Sequence, residues 1–223
     1  LSASANQIIV SSGASSASLN AALPAEYSFA KRKHSHAASN NIFYVFVFED
    51  KWVCMIDLFL YSYGLFEKWG MYAVLTDPDG NSFFFKNELQ KDRISLEKDT
   101  LYVSDGSISI EGLAPHFRIR CDYEDFSCDL RIRNYVPPLK EGDGYHYVNQ
   151  DKTVFVQRIM TTPFGLAEGY ITSRGNRREV RGGVYGDKSF LVFPPLRLDP
   201  LIVSLRLFET ESEGGKGRQF NLL

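Results

Sequence analysis

The segment with the most chemical potential is Val156–Phe190, VQRIMTTPFGLAEGYITSRGNRREVRGGVYGDKSF. Near its end, in "GGVYGD", three glycines surround Tyr185 and the last of them precedes Asp187. Glycine inside a strand usually marks a bulge, or a place where another backbone or a ligand comes close. The spacing supports two interpretations equally: a bend in a sheet, or a pocket rim with Tyr185 and Asp187 turned toward a bound molecule. In the second case an apolar pocket would raise the pKa of Asp187 and suit it to general acid or base catalysis.

Other catalytic patterns are missing from the sequence, which has no G-x-S-x-G, no P-loop and no H-E-x-x-H. His34 and His36 have the spacing by which a strand presents two metal ligands, but no third ligand is near them. We therefore expect neither a metal nor a cofactor. His116, on a polar strand face, and His146, between two tyrosines, are interpreted as structural or surface residues.

Composition excludes some classes of partner. The formal charge of −2 and the pI near 6.1 argue against a nucleic-acid-binding protein. No apolar run reaches the ~18 residues of a membrane-spanning helix, so we expect a soluble protein of undetermined compartment. The basic cluster "KRKHSH" is interpreted as a solvated loop, with peripheral contact to anionic membrane headgroups as the alternative. Three cysteines are too few for a disulfide framework, although Cys121 and Cys128 could pair if their strands are neighbours.

From residue 41 onward the chain reads as short strands joined by turns such as "DPDGN" and "SDG". The alternation is clearest in HFRIRCDYEDFSCDLRIRNY, which predicts a hairpin with one buried apolar face, one wet face and Arg120 opposite Asp129. We interpret the four arginines of this hairpin as a solvated outer face, with recognition of an acidic partner as the alternative. About ten short strands without an amphipathic helix indicate an antiparallel barrel or sandwich. A barrel of this kind could enclose one apolar ligand, lined by Phe117, Ile119, Phe126, Leu130 and Ile132, with Tyr185 at its mouth.

Several of these stretches also resemble a known family. "AEGYI" and "RGGVYGDKSF" in the segment above, with "DPDGNSFFFKNEL" and "DGSISIEG" upstream, resemble the lipocalin-like two-barrel superfamily of AttH, carotenoid 1,2-hydratase (hydroxyneurosporene synthase) and survival-factor proteins. The resemblance runs in order over about residues 41–190. Three features depart from the family pattern: Gly183-Val184 alters the glycine spacing, Lys188 replaces a histidine and Phe190 replaces a tryptophan.

The resemblance implies an all-β, lipocalin-like antiparallel β-barrel over residues 41–190. Residues 1–40 are expected to form a Ser/Ala-rich arm and a basic loop, and residues 191–223 to start a second β-domain or a closing hairpin. The function implied is binding or carriage of a hydrophobic small molecule or lipid within the barrel. The alternative is a hydratase or cyclase acting on an isoprenoid or polyketide with Asp187 as its acid or base. Because the histidine at position 188 is missing, we prefer binding over catalysis.

Overall fold

The computed structural model of the chain describes residues 18–28, 37–63, 66–97, 101–147, 149–193, 205–209 and 218–222. Residues 1–193 group into one compact unit and residues 194–223 into a second. The helical elements described are α1 (Pro24–Tyr27) and a 3₁₀ turn (Lys91–Arg93). The strands are β1 (Leu19–Ala21), β2 (Ala37–Phe48), β3 (Val53–Tyr63), β4 (Phe66–Thr76), β5 (Ser82–Glu88), β6 (Ser95–Leu96), β7 (Leu101–Ser104), β8 (Ile108–Leu113), β9 (His116–Asp122), β10 (Phe126–Asn134), β11 (Leu139–Glu141), β12 (Tyr145–Tyr147), β13 (Phe155–Ser173), β14 (Asn176–Phe193), β15 (Leu205–Glu209) and β16 (Arg218–Leu222).

The first unit is built on one antiparallel sheet. Its strands lie in the order β5-β4-β3-β2-β14-β13-β10-β9-β8-β7-β6, and β11 and β12 pair with further parts of β13. Strand β1 pairs in turn with β11. In the second unit, β15 and β16 form a two-stranded antiparallel sheet. The all-β prediction is therefore confirmed.

The predicted hairpins form where turn chemistry permits a tight reversal. In "DPDGN", the Asp77 carboxylate accepts hydrogen bonds from the backbone N–H groups of Asp79 and Asn81, at 3.0 and 2.8 Å. Gly80 adopts a φ of +89°, which glycine tolerates far better than other residues. Asp77 thus satisfies the turn's own backbone donors, and β4 can pair directly with β5.

The core lies on one face of this sheet, which we call the inner face; the opposite side is the outer face. Directly paired residues share a face, so Ile42, Tyr44 and Phe46 of β2 lie beside Leu58, Ile56 and Cys54 of β3, and all six are completely buried. The sheet curls over this core. Phe85 of β5 and Phe126 of β10 consequently stack across the interior, with ring centroids 4.9 Å apart.

Two details of the sequence interpretation need correction. Residues 18–28 are not simply an extended arm, because β1 is paired and Tyr27 of α1 is buried against Phe117 with ring centroids 6.1 Å apart. The strands are also not uniformly short: β13 has 19 residues and β14 has 18. These two long strands stay paired because register shifts near Thr162 let them bend with the sheet.

The β9–β10 hairpin has the predicted register, with Arg120 opposite Asp129 and the apolar residues buried. The side chains pair diagonally, however. Arg118 donates two hydrogen bonds to Asp129, at 2.8 and 2.6 Å, and Arg120 donates to Glu111 at 2.9 Å. This guanidinium pairing lowers the pKa of Asp129. Arg118 and Arg120 are therefore paired with acidic neighbours, and partly exposed pairs of this kind contribute only about 0–1 kcal/mol each.

Candidate functional site

The stretch "GGVYGD" lies within β14, and its neighbouring residues face opposite sides of the sheet. Val184 and Lys188 are paired with Phe46 and Ile42, which belong to the inner face. Tyr185 and Asp187 must then face outward, because successive side chains of a strand alternate. "YGD" therefore contributes its two polar side chains to the outer face.

The predicted ligand-lining residues lie elsewhere. Each is at most 3% exposed and belongs to the core of the inner face: Phe117, Ile119, Phe126, Leu130 and Ile132. Tyr185 does not stand at the mouth of a space lined by these residues, which corrects that part of the expectation. Alternation within one strand does not relate its faces to those of a distant strand, so the sequence did not show that Tyr185 and these residues lie on different faces.

The glycines of β14 serve close packing. A Cβ atom on Gly182 would lie 2.1 Å from the carbonyl oxygen of Val47, and one on Gly186 would lie 2.3 Å from the Tyr44 ring. A Cβ on Gly183 would meet nothing within 4 Å. Close approach of a neighbouring backbone and of an aromatic ring therefore accounts for Gly182 and Gly186.

Tyr185 and Asp187 form a hydrogen-bonded group with Arg158 of β13. The Arg158 Nη2 atom donates to the Tyr185 hydroxyl at 2.9 Å, and that hydroxyl donates to Asp187 Oδ2 at 2.8 Å. The guanidinium also lies 3.5 Å from Asp187 Oδ2. Tyr185 and Asp187 are only 1% and 2% exposed. The carboxyl of Asp187 is thus fixed in position by a tyrosine and an arginine, as a charged group in a binding or catalytic site must be.

Lys188 takes no part in this group. It is buried on the inner face, where its Nζ atom donates to the carbonyl oxygen of Glu26 at 3.2 Å and so connects α1 to the sheet. A histidine at position 188 would face the same way. The Lys188 departure from the family pattern therefore does not alter the surroundings of Asp187 on the outer face.

A second carboxyl, Asp57, lies on the same face as Asp187. The strand registers place Asp187 opposite Phe43, Phe43 opposite Asp57, Asp57 opposite Tyr72, and Tyr72 opposite Lys86. These five residues form a row across five strands, which we call the polar row. Two strand spacings separate Asp57 from Asp187, or about 10 Å between backbones. In the sequence, Asp57 is the one acid within the apolar run "WVCMIDLFLYSYGLF", and this position was a signal that could have found it.

An apolar groove of about 370 Å³ opens over part of the polar row. It is lined by Phe43, Met55, Asp57, Tyr72, Val74, Phe84, Phe85 and Lys86. Phe84 is 78% exposed, and Met55 and Tyr72 are more than one-third exposed. A concave apolar surface with a few polar groups, in this range of volumes, is typical of small-molecule sites.

Asp57 has an unusual electrostatic environment for a carboxyl group. Its Oδ1 atom is buried and makes no hydrogen bond within the described part of the chain. Its Oδ2 atom accepts a long hydrogen bond, 3.4 Å, from the amide of Asn41. Burial, with a smaller contribution from the negative charge of Asp187, raises the pKa of Asp57 to about 7. Burial and the Asp57 carboxyl also raise the pKa of Tyr72, so its phenol stays protonated at neutral pH.

The other sequence candidates do not join this site. A polar groove of about 550 Å³ lies between β7 and β13, but its Arg120 pairs with Glu111 and its Arg177 stacks 4.1 Å above Tyr170. His116 is exposed, and His146 lies 3.9 Å from Glu141. His34 and His36 lie outside the described residues. Within the described ranges, no group of three or more potential ligands could hold a metal ion, and no helix is long and apolar enough to cross a membrane.

The three cysteines are free thiols, so no disulfide joins Cys121 to Cys128. Cys121 and Cys128 are directly opposite one another on β9 and β10, and both are free thiols with their Sγ atoms 3.3 Å apart. The contact with Cys121, followed by burial, raises the pKa of Cys128. Burial likewise raises the pKa of Cys54. These thiols are core groups of the inner face, remote from the polar row.

Comparison with known proteins identifies the fold. No protein-family model and no curated protein matches the sequence. Solved structures do match, among them a protein from Nitrosomonas europaea described as an AttH, at a TM-score of 0.60 and 14% identity over 78% of this chain and 56% of that one. Kievitone hydratase from Nectria haematococca matches at 0.52 and 11% identity, over 70% and 48% of the two chains. CghA, solved with Sch210972, matches at 0.49 and 12% identity, over 78% and 56%.

The first two of these matches show the fold alone, because the identities are low. The fold is lipocalin-like, so the resemblance drawn from "AEGYI" and "RGGVYGDKSF" is confirmed at the level of the fold. The chain spans about half the length of the solved structures it matches.

Proposed function

We propose that this protein binds a hydrophobic small molecule or lipid in the apolar groove on the outer face of β2–β5. The observation that supports the proposal most directly is the groove itself, where Phe43, Met55, Val74 and Phe84 present apolar side chains beside a single carboxyl. Burial of a ligand's alkyl or ring carbons there would supply about 0.8 kcal/mol per CH₂ group. Lipid binding, which the resemblance to survival-factor proteins implies, is part of this proposal.

The location differs from the one that alternation suggested. The five inner-face residues already contact other core side chains and are at most 3% exposed, so a ligand among them would require the core to open. A ligand in the groove needs no such opening, because Phe84 and Met55 are accessible from the surface. The outer face is therefore the better supported location.

A tryptophan in the groove tests the proposal. Val74 lies on the outer face between Met55 and Phe84, so Val74→Trp would fill the groove without disturbing the core. We expect the uncharged fluorescent dye Nile red to bind the wild-type protein and to bind Val74→Trp at least tenfold more weakly. Thr172→Trp, on β13 beside the polar groove, is the matched control and should bind as the wild type does. Equal binding by Val74→Trp and the wild type would refute the groove.

A second candidate function is catalysis of hydratase or cyclase type, with Asp187 as the acid or base. Two carboxyls on the same face support it: Asp187 is oriented by Tyr185 and Arg158, and Asp57 lies across Phe43 from it. The likeness to kievitone hydratase, the name of one solved structure with this fold, is consistent with such a reaction. Asp187→Asn should then abolish turnover of an isoprenoid or polyketide substrate while ligand binding persists. Unchanged turnover would exclude Asp187 from this role.

A further inference from the structure

The groove has one buried polar atom without a hydrogen-bonding partner among the described residues, Oδ1 of Asp57. It belongs to a residue that lines an apolar groove. A buried polar atom without a partner costs about 1–3 kcal/mol, so a ligand group that satisfies it gains affinity. The chemistry of this atom therefore selects the ligand.

The charged and titratable groups around Asp57 determine whether its carboxyl is protonated. On β14, Asp187 adds negative charge, but Tyr185 and Arg158 already hydrogen-bond or pair with it. On β4, the Tyr72 phenol lies opposite Asp57, and burial with the charge of that carboxyl raises the pKa of Tyr72. On β5, Lys86 is exposed and lies opposite Tyr72, one strand further from Asp57 than Tyr72.

Among the described residues no cation pairs with Asp57, whose neighbours are the Tyr72 phenol, the Asn41 amide and, across Phe43, the Asp187 carboxyl. Its pKa of about 7 means that the carboxyl is largely protonated in mildly acidic solution. A proton on Oδ1 can then be donated in a hydrogen bond, while Oδ2 still accepts from Asn41. A protonated carboxyl in an apolar site is a strong hydrogen-bond donor to oxygen.

We propose that the groove selects uncharged apolar molecules that carry a hydrogen-bond-accepting oxygen, such as a ring ketone or an ether, and that protonated Asp57 donates to that oxygen. This inference rests on the proposed function and specifies its ligand class. It favours an uncharged ketone or ether over a fatty acid. A carboxylate would have to leave water for this apolar groove and would lie near the negative charge of Asp187, and one placed at Lys86 would leave Asp57 Oδ1 without a partner.

The test compares two fluorescent probes at two pH values. Nile red is uncharged and has a ring carbonyl, whereas cis-parinaric acid is an anionic fatty acid. If only the protonated form of Asp57 binds, the apparent affinity of the wild type for Nile red falls about tenfold from pH 6 to pH 8. Asp57→Asn keeps an N–H donor of similar shape, so we expect its affinity for Nile red to change less than twofold. Parinaric acid should bind the wild type at least tenfold more weakly than Nile red at pH 6.

The outcomes separate this inference from the proposed function. Tight binding of Nile red with no difference between pH 6 and pH 8 overturns the role of Asp57, but the groove remains a binding site. An equal loss of affinity for Nile red between pH 6 and pH 8 in the wild type and in Asp57→Asn also overturns the role of Asp57, and the groove remains a binding site. Parinaric acid binding as tightly as Nile red overturns the preference for uncharged ligands. The absence of Nile red binding at either pH refutes the proposed function itself. The wild-type pH profile decides the first point even if Asp57→Asn does not fold.

Discussion

Replacement of Asp57 should change how the stability of the protein depends on pH. In the folded state the pKa of Asp57 is about 7, whereas its ordinary value is 3.8. Between these values the folded state holds a proton that the unfolded state has lost. The free energy of unfolding therefore falls as the pH rises toward 7, by about 1.4 kcal/mol for each pH unit.

The size of the effect follows from the interval. From about pH 5 to about pH 7 the carboxyl of Asp57 is protonated in the folded state but ionised in the unfolded state. Over these roughly two pH units, Asp57 therefore lowers the free energy of unfolding by about 3 kcal/mol, and the loss is complete by about pH 8. Asp57→Asn cannot ionise and lacks this loss. Relative to the wild type, the variant should gain about 3 kcal/mol between the two pH values, a large part of the 5–15 kcal/mol typical of a domain.

Urea denaturation of both proteins at pH 5 and pH 8, followed by circular dichroism, measures this difference. Asp122→Asn makes the same change of charge at an exposed position of β9 and is the matched control. We expect the control to follow the wild type within about 0.5 kcal/mol at both pH values. If Asp57→Asn and the wild type lose stability in parallel between pH 5 and pH 8, the reasoning about the buried carboxyl is wrong.

Two further predictions concern packing on the inner face. Gly182→Ala should destabilise the protein by about 1–3 kcal/mol in urea denaturation, because its Cβ would lie 2.1 Å from a backbone oxygen. Gly183→Ala is the control and should change the free energy of unfolding by less than about 0.5 kcal/mol, because a Cβ there meets nothing within 4 Å. Equal effects of the two substitutions would contradict this explanation. We also expect the oxidant diamide to join Cys121 to Cys128 within one molecule, because their Sγ atoms are 3.3 Å apart on adjacent strands. Peptide mapping that finds these residues only in disulfides between molecules would contradict this.

Local signals in the sequence predicted much of the fold. Asp-Gly turns and alternation between apolar and polar residues are properties of neighbouring residues, so the hairpins and the register of Arg120 with Asp129 could be predicted. The pairing of β2 with β14 could not, since it joins residues about 140 positions apart in the chain and no local pattern encodes it.

The candidate site depends on that distant pairing. Tyr185 and Asp187 were found because glycines surround them, but their partner Arg158 and the carboxyl of Asp57 come from other strands. Asp57 can be recognised in the sequence as an acid within an apolar run. Its place in the groove could be inferred only once the structure showed that its side chain faces away from the core. For the same reason, the sequence could not show that Tyr185 and the predicted inner-face lining residues lie on opposite faces of the sheet.

The methionines provide the most direct test of the outer-face groove, because they lie on both sides of the sheet. Met55 lines the groove, whereas Met71 is completely buried on the inner face. With ¹³C-labelled methionine methyl groups, titration with Nile red should shift the NMR signal of Met55 and leave that of Met71 in place. A titration that moves Met71 while Met55 stays unchanged would place the ligand inside the curled sheet and contradict the account.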